Sequence, residues 1–370
     1  MTVQPLYGQV RDYAWGSRTA IARIQGRPVP SAGPEAELWL GAHPAAPSSL
    51  ATGPLPEALA ADPAGLLGAP VIAEYGARLP YLLKVLAADA PLSIQAHPDP
   101  VRARDRYAAG HPAYADPYHK PELLVAVEDF DALCGFRAPA ESADLLESLG
   151  IDALKPVVSA LSTGPDDAAR LRNAVELLMS WPVEERTELV GAVAAADGSA
   201  AELAAHYPGD VGVVVALLLN RVRLAPDEAV WMPAGNLHAY LRGTGVEIMA
   251  ASDNVLRGGL TPKPVHVPEL LRVLRFEVLA EPVRRPVPVG PGLLTWPTPV
   301  REFALHKATV AGTPVTLPGG GPRILFCLRG TVEVAGLPLA AGTAAFADAG
   351  EPPVECAGDG VVFQAGTPAI

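Results

Sequence analysis

Residues 91–99 read Pro91-Leu-Ser-Ile-Gln-Ala-His-Pro-Asp99, and residues 230–240 read Val230-Trp-Met-Pro-Ala-Gly-Asn-Leu-His-Ala-Tyr240. The first stretch alternates polar and apolar residues between two prolines, which predicts a brief strand. Successive strand side chains point to opposite faces, so Ser93, Gln95 and His97 share one side. The second stretch contains P-x-G-x-x-H, a turn that delivers His238 from a strand end. Between them, Ala115-Asp-Pro-Tyr-His-Lys-Pro-Glu-Leu123 places His119, Lys120 and Glu122 within four residues. If that segment is extended, Lys120 and Glu122 project to one side and His119 to the other.

One Q-x-H match carries little, because a lone histidine is more often a core or surface residue than a ligand. The combination carries more. Q-x-H, then a carboxylate, then P-x-G-x-x-H is the order in which cupin jelly rolls present metal ligands that converge inside one small barrel. The surrounding text agrees with a β-rich chain. From residue 3 to about 137, short apolar runs (38–40, 82–86 and 123–127) lie between Pro, Gly and Asp clusters. From about 139 to 205, Ala, Leu and Glu dominate, with helical spacing over 143–149, 168–179 and 184–195. Residues 211–250 return to strands, as does 305 to the end. There, 323–330 and 331–335 read as strand, turn and strand, with 340–346 the next edge.

The predicted fold is mainly β with an α insertion: two cupin-type jelly-roll β-barrels plus a helical domain. Residues 1–137 and 208–265 form the catalytic barrel, and 138–207 the helical insertion. Residues 266–370 form a C-terminal cupin-like barrel. That last stretch has no Q-x-H, H-x-H or P-x-G-x-x-H, so it is expected to hold no metal and to serve as structure or lid.

Composition narrows the function. The 370 residues are 49% hydrophobic and 18% charged, as in a globular chain. Lys and Arg total 28 against 40 Asp and Glu, a formal net charge of −12. That balance argues against a nucleic-acid partner, which usually needs a basic patch. Buried cations can still bind a small anion. Cys134, Cys327 and Cys356 are scattered without a CxxC, which fits reduced thiols and a cytoplasmic location. Residues 1–15 contain no apolar core of a signal peptide. The most apolar run, 211–219, is about half a membrane span, so no membrane partner is expected.

These segments closely resemble the type I phosphomannose isomerases. The resemblance runs through Tyr13-Ala-Trp-Gly-Ser17 and Ala36-Glu-Leu-Trp-Leu-Gly-Ala-His43. It includes the two strings around His97 and Glu122, and Ala-Ser-Asp-Asn-Val-Leu-Arg-Gly-Gly-Leu-Thr-Pro-Lys over 251–263. It implies an aldose–ketose isomerase acting on mannose 6-phosphate and fructose 6-phosphate through a metal-assisted cis-enediolate. The implied metal ligands are Gln95, His97, Glu122 and His238, holding one Zn²⁺. Three neutral ligands and one anion leave the centre about one net positive charge, which suits a Lewis acid. The resemblance points to Arg257 in the active site, where a permanent cation suits an anionic intermediate or phosphate.

Lys120, His119 and Asp253 are the candidates for proton transfer, and sequence does not choose among them. Lys120 as base would need a depressed pKa. Glu247 would orient a cation or a substrate hydroxyl. Ser93 and Lys263 are candidates for phosphate contacts. Taken alone, each residue also has a plain reading. Arg257 reads as a salt-bridge partner, Lys120 as a solvated loop lysine, Asp253 as a turn cap and Glu247 as a partner of Arg242. His43 has no assigned role, and Trp15, Trp39 and Trp231 read as core packing. The chain departs from the family at Ala14, at Asp99-Pro100 and over 101–114, which touches surface loops and substrate preference rather than the metal site. The expected partner is a small sugar phosphate, and the chain is taken as a monomer. The competing readings are isomerisation of another aldose, a metal-binding cupin that holds sugar without turnover, and an iron cupin dioxygenase.

Overall fold

In the computed structural model, residues 3–368 are described. The chain is mostly sheet with helices, and it builds two large antiparallel sheets. The first holds eleven strands and is organised by the thirteen-residue strand His238–Ala250. Its far half lies between Tyr81–Ala88 and Glu122–Ala126, and its near half pairs with Ile94–Ala96 and Phe130–Phe136. One strand therefore touches every segment that carries a predicted ligand. It changes neighbours at Gly243, whose φ is +129°. A Cβ there would stand 2.7 Å from the Asp129 carbonyl oxygen, so only glycine lets the strand bend at this point.

Period-two alternation explains how the strand Tyr81–Ala88 is buried on both faces. Tyr81, Leu83, Val85 and Ala87 enter a core shared with the second sheet, where they meet Phe303, Ile324, Phe326, Phe346 and Phe363. Leu82, Lys84 and Leu86 face the opposite way and line a cavity. The second sheet holds nine strands, dominated by Arg323–Val334 and Val354–Gly366. Between the strand Phe130–Phe136 and the strand Leu219–Leu224 the chain is helical. Leu154, Val157, Leu171, Leu178 and Val190 build a core that continues into Ile94, Ala96 and Leu256. The helices thus brace the back of the strands that carry Gln95 and Arg257. Among the described residues no helix is long and apolar enough to cross a membrane.

Several expectations need correction. Residues 211–219 were read as strand, yet Gly212–Ala216 is a short buried helix, so the helical stretch outlasts residue 207. An unbroken apolar run has no period to separate the two. The N-terminal region was read as strands throughout, yet it contains the helices Ala20–Ile24, Leu55–Ala61, Pro63–Tyr75 and Pro100–Ala108. Asp62 and Asp99 cap two of them, accepting from the Gly65 and Arg102 amides, with proline at the first helical position. Arg323–Val334 is one strand with a bulge near Arg329, where a turn was expected. Val3–Leu6 pairs with Ala344–Ala347 of the second sheet, and Val283–Arg284 pairs with Ala229–Met232 of the first. Strand pairing over hundreds of residues leaves no mark in local pattern.

The helix Pro100–Ala108 is tied down by charge. Arg102 and Arg106 reach Glu269 of Val267–Val273 at 2.6 and 2.9 Å, and the Tyr114 hydroxyl donates to it at 2.6 Å. Burial alone would raise the Glu269 pKa, but hydrogen bonds from Arg106, Tyr114 and Arg102 outweigh it and bring it to about 2. A depressed carboxylate stabilises the fold above its unfolded pKa and loses that contribution as pH falls through the folded value. Glu269→Gln is expected to cost roughly 2 kcal/mol at neutral pH, discounted because both guanidiniums touch solvent. The gap to the parent should close between about pH 4.5 and about pH 2. Denaturant titrations of both proteins across that range check this; a gap that does not depend on pH would remove Glu269 from the acid limb.

Candidate active site and metal centre

His97, Glu122 and His238 converge at the heart of the first sheet, at 0, 1 and 0% exposure. Strand register brings them together: Gln95 lies opposite both His238 and Arg257, while Glu122 lies opposite Met249 and Met232. His97 Nδ1 is 2.7 Å from the Asn254 carbonyl oxygen, and His238 Nδ1 is 3.0 Å from that of Asn236. A carbonyl only accepts, so each Nδ1 carries a proton and each Nε2 is the atom turned toward Glu122. Burial lowers the His97 pKa to about 4, which keeps that ring neutral. Both Nε2 atoms lie 3.2 Å from Glu122 Oε2, and none of the three atoms has a hydrogen-bond partner among the described residues.

Three lone-pair atoms facing one another in a dry interior repel unless a cation sits among them. Their 3.2 Å separations match the ~3.3 Å edge of a tetrahedron with ~2.0 Å metal bonds. The donor set therefore fits a zinc ion. Gln95 lines the adjoining cavity.

The cavity above this cluster has a volume of about 1320 Å³. It is lined by Ser93, Lys120, Glu247, Asp253, Arg257 and Lys263, among others. Lys120 Nζ stands 2.9 Å from Glu122 Oε1. Burial pushes the Glu122 carboxyl up, but the Lys120 ammonium beside it holds it well below the usual carboxylate range. Arg257 is half-buried and makes no ion pair or side-chain hydrogen bond among the described residues, so its charge faces the cavity unspent. Lys263 stands exposed at the rim.

Glu247 pairs with Lys84 at 3.3 Å, not with Arg242. Lys84 also reaches Glu37 at 3.5 Å, and the Tyr240 hydroxyl donates to Glu247 at 2.7 Å. Burial lowers the Lys84 pKa and is overcome by Glu37 and Glu247, which hold it above its ordinary value. Burial raises the Glu247 pKa, and Lys84 offsets this only in part. Asp253 pairs with His43 at 3.1 Å. The Ala45 amide donates to His43 Nδ1, so Nε2 bears the proton and donates to Asp253. That bond lowers the Asp253 pKa and outweighs burial, which raises it.

His119 stands outside the cavity lining. It turns away from the cavity and bonds Glu302 at 2.7 Å, as strand-like alternation with Lys120 requires. It is therefore not placed to touch substrate. Lys84, Glu37, Tyr240 and His43 were missed, and Trp15 and Trp39 line the cavity instead of serving only as packing. One signal was available: a lysine inside the apolar run 82–86 demands a buried partner. Another was the spacing of Glu37 and Trp39, which puts them on one strand face, where the Trp39 indole donates to Glu37 at 2.7 Å.

The profile of phosphomannose isomerase type I, catalytic domain, matches residues 3–139. Mannose-6-phosphate isomerase of Escherichia coli is 37% identical, over 97% of this chain and 98% of its own. The chain belongs to the type I phosphomannose isomerase family. The human mannose-6-phosphate isomerase is 32% identical over 89% of this chain and 88% of its own. A solved single-residue variant of phosphomannose isomerase from Salmonella typhimurium superposes with a TM-score of 0.92 at 34% identity, covering 99% of this chain and 100% of that one. A further family structure, mannose 6-phosphate isomerase bound with zinc and yttrium, superposes with a TM-score of 0.90 at 34% identity, with the same coverage.

Proposed function

We infer that the chain interconverts D-mannose 6-phosphate and D-fructose 6-phosphate, with one Zn²⁺ held by Gln95, His97, Glu122 and His238. The observation that carries the reading is the set of three buried, partnerless donor atoms opening onto a cavity that contains an unpaired arginine. Family membership at 37% identity over nearly the whole chain supports the same reaction.

Isomerisation moves one proton between C2 and C1 and another between the two oxygens, through a cis-enediolate. Zinc bound at this centre supplies Lewis-acid stabilisation of negative charge on the sugar oxygens. The chain's own residues do the rest. Arg257 offers a permanent cation to the developing anion or the phosphate. Ser93 and Lys263 stand where a hydroxyl and an ammonium can take the phosphate. Lys120 can donate a proton from its ammonium, and Asp253, oriented by His43, can accept one. Glu247, fixed by Lys84 and Tyr240, is placed to orient a sugar hydroxyl.

The same reading makes each large sheet a cupin-type jelly roll, the first catalytic, the second without metal, with the helical domain inserted between strands of the first. Three free, buried cysteines fit a cytoplasmic enzyme. It is taken as a monomer with a sugar phosphate as its partner, which gel filtration of purified protein tests.

The deciding assay is turnover of mannose 6-phosphate by zinc-loaded protein, coupled to detection of fructose 6-phosphate, with free mannose alongside. Turnover of the phosphate ester alone supports both the reaction and the phosphate contacts. No turnover of either sugar by folded, metal-replete protein would favour a sugar-binding cupin. Chelation is expected to abolish activity and to lower the melting temperature, since the three lone pairs then face one another unshielded. Zinc should restore both. Full activity in a metal-free sample would end the metal mechanism.

A further inference from the structure

His119 leaves the cavity, yet its neighbour Lys120 enters it. What holds this pair of residues in place is unusual. Upstream, Asn254 Nδ2 donates to the Asp116 and Tyr118 carbonyls at 2.8 and 2.7 Å, and the Ser252 hydroxyl donates to Asp116 Oδ1 at 2.8 Å. Downstream, the Ala250 amide donates to the Pro121 carbonyl at 3.1 Å, and the strand Glu122–Ala126 begins. Between these anchors, neither His119 nor Lys120 makes a main-chain hydrogen bond among the described residues. Two side-chain contacts hold the pair, Lys120 Nζ at 2.9 Å from Glu122 Oε1 inside the cavity and His119 Nε2 at 2.7 Å from Glu302 Oε1 outside it.

Glu302 belongs to the other sheet's side of the molecule. It precedes the strand Ala304–Ala311, and its neighbour Phe303 is 1% exposed in the core between the two sheets. The Phe303 ring also meets Trp231 edge-on, with centroids 6.2 Å apart. The carboxylate is therefore presented from a rigid base. At 21 and 17% side-chain exposure, the His119–Glu302 pair is shielded enough to outlast surface screening. Pro121 keeps Lys120 extended, so a rotation at His119 swings the lysine with it.

We propose that Glu302 is a positioning residue for the isomerase reaction: through His119 it fixes the main chain that aims Lys120 at the cavity. The metal-free sheet thereby holds one wall of the other sheet's active site. This rests on the isomerase reading above, and the displacement of Lys120 can be read without turnover.

The test uses zinc-loaded protein and the variants Glu302→Ala, His119→Ala and the double replacement. Each single variant is expected to lower kcat on the order of tenfold, the scale of a catalytic group displaced by a fraction of an ångström. KM should stay within about twofold and the zinc content full, because Lys120 is moved while the ligands are not. The double variant should be no slower than the slower single one, since both act through one contact. Glu302→Gln keeps an acceptor oxygen for His119 and should recover most of the rate. Acylation by a small amine reagent, read by mass spectrometry, should rise several-fold at Lys120 in Glu302→Ala and stay unchanged at Lys84. Parental kcat in Glu302→Ala would overturn the proposal, as would losses that multiply in the double variant or unaltered Lys120 labelling. If Glu302→Ala does not fold, His119→Ala and Glu302→Gln decide by the same readouts. A zinc-replete parent without turnover would sink the isomerase reading, while the labelling would still decide the positioning.

Discussion

Replacing His238 with alanine is expected to strip zinc from the purified protein and to lower isomerisation by on the order of a thousandfold. His238 is fully buried, and its Nδ1 is pinned to the Asn236 carbonyl, so its Nε2 is aimed with little freedom to adjust. No neighbouring donor can replace it. Cys134, opposite in register, already contacts Met232 and Asn236, and burial pushes its thiol up to about 12, far from the thiolate that binds metal. The loss should therefore be one of ligation rather than shape. Elemental analysis and a melting curve on the same sample separate the two. His238→Gln, which keeps most of the volume, should fold well and still bind zinc poorly. A His238→Ala protein that retains one zinc per chain would remove this residue from the ligand set.

Arg257→Ala is expected to leave zinc content and melting temperature close to the parent while lowering kcat/KM by about a hundredfold or more, the scale of a preorganised charge contact. Stability should change little because Arg257 has no partner among the described residues to lose, and half-burial already weighs against its charged form. That desolvation is sustained for function: a guanidinium held without a carboxylate attracts an anionic ligand more strongly than a paired one. Arg257→Lys should recover only part of the rate, since an ammonium lacks the forked pair of donors. Normal turnover by Arg257→Ala would reduce the residue to a structural role.

These two predictions rest on different kinds of legibility. The candidate metal ligands were readable because Gln95 and His97 lie two apart on one short segment, and His238 ends a recognisable turn. The strands at 38–40, 82–86 and 123–127 and the helices read over 143–149, 168–179 and 184–195 stand where pattern placed them, within a few residues, while the helix Lys155–Ser162 between them was not read. Arg257 was readable only through resemblance, since a lone arginine has no period or spacing to mark it.

Local chemistry, then, determined which residues could bind a metal and which short runs would be strand or helix. Those properties depend on neighbours one to four positions away, where side-chain direction follows directly from backbone geometry. Tertiary structure alone decided the company each residue keeps. His43 orients Asp253 across 210 positions, Lys84 joins Glu37 to Glu247, and His119 meets Glu302 at a separation of 183. Each of these pairs is made by antiparallel strands or packed loops whose partners lie far along the chain. The sequence carried the charges of this active site, while the pairing of distant strands decided that Arg257 would stand without a partner among the described residues and that His119 would face away.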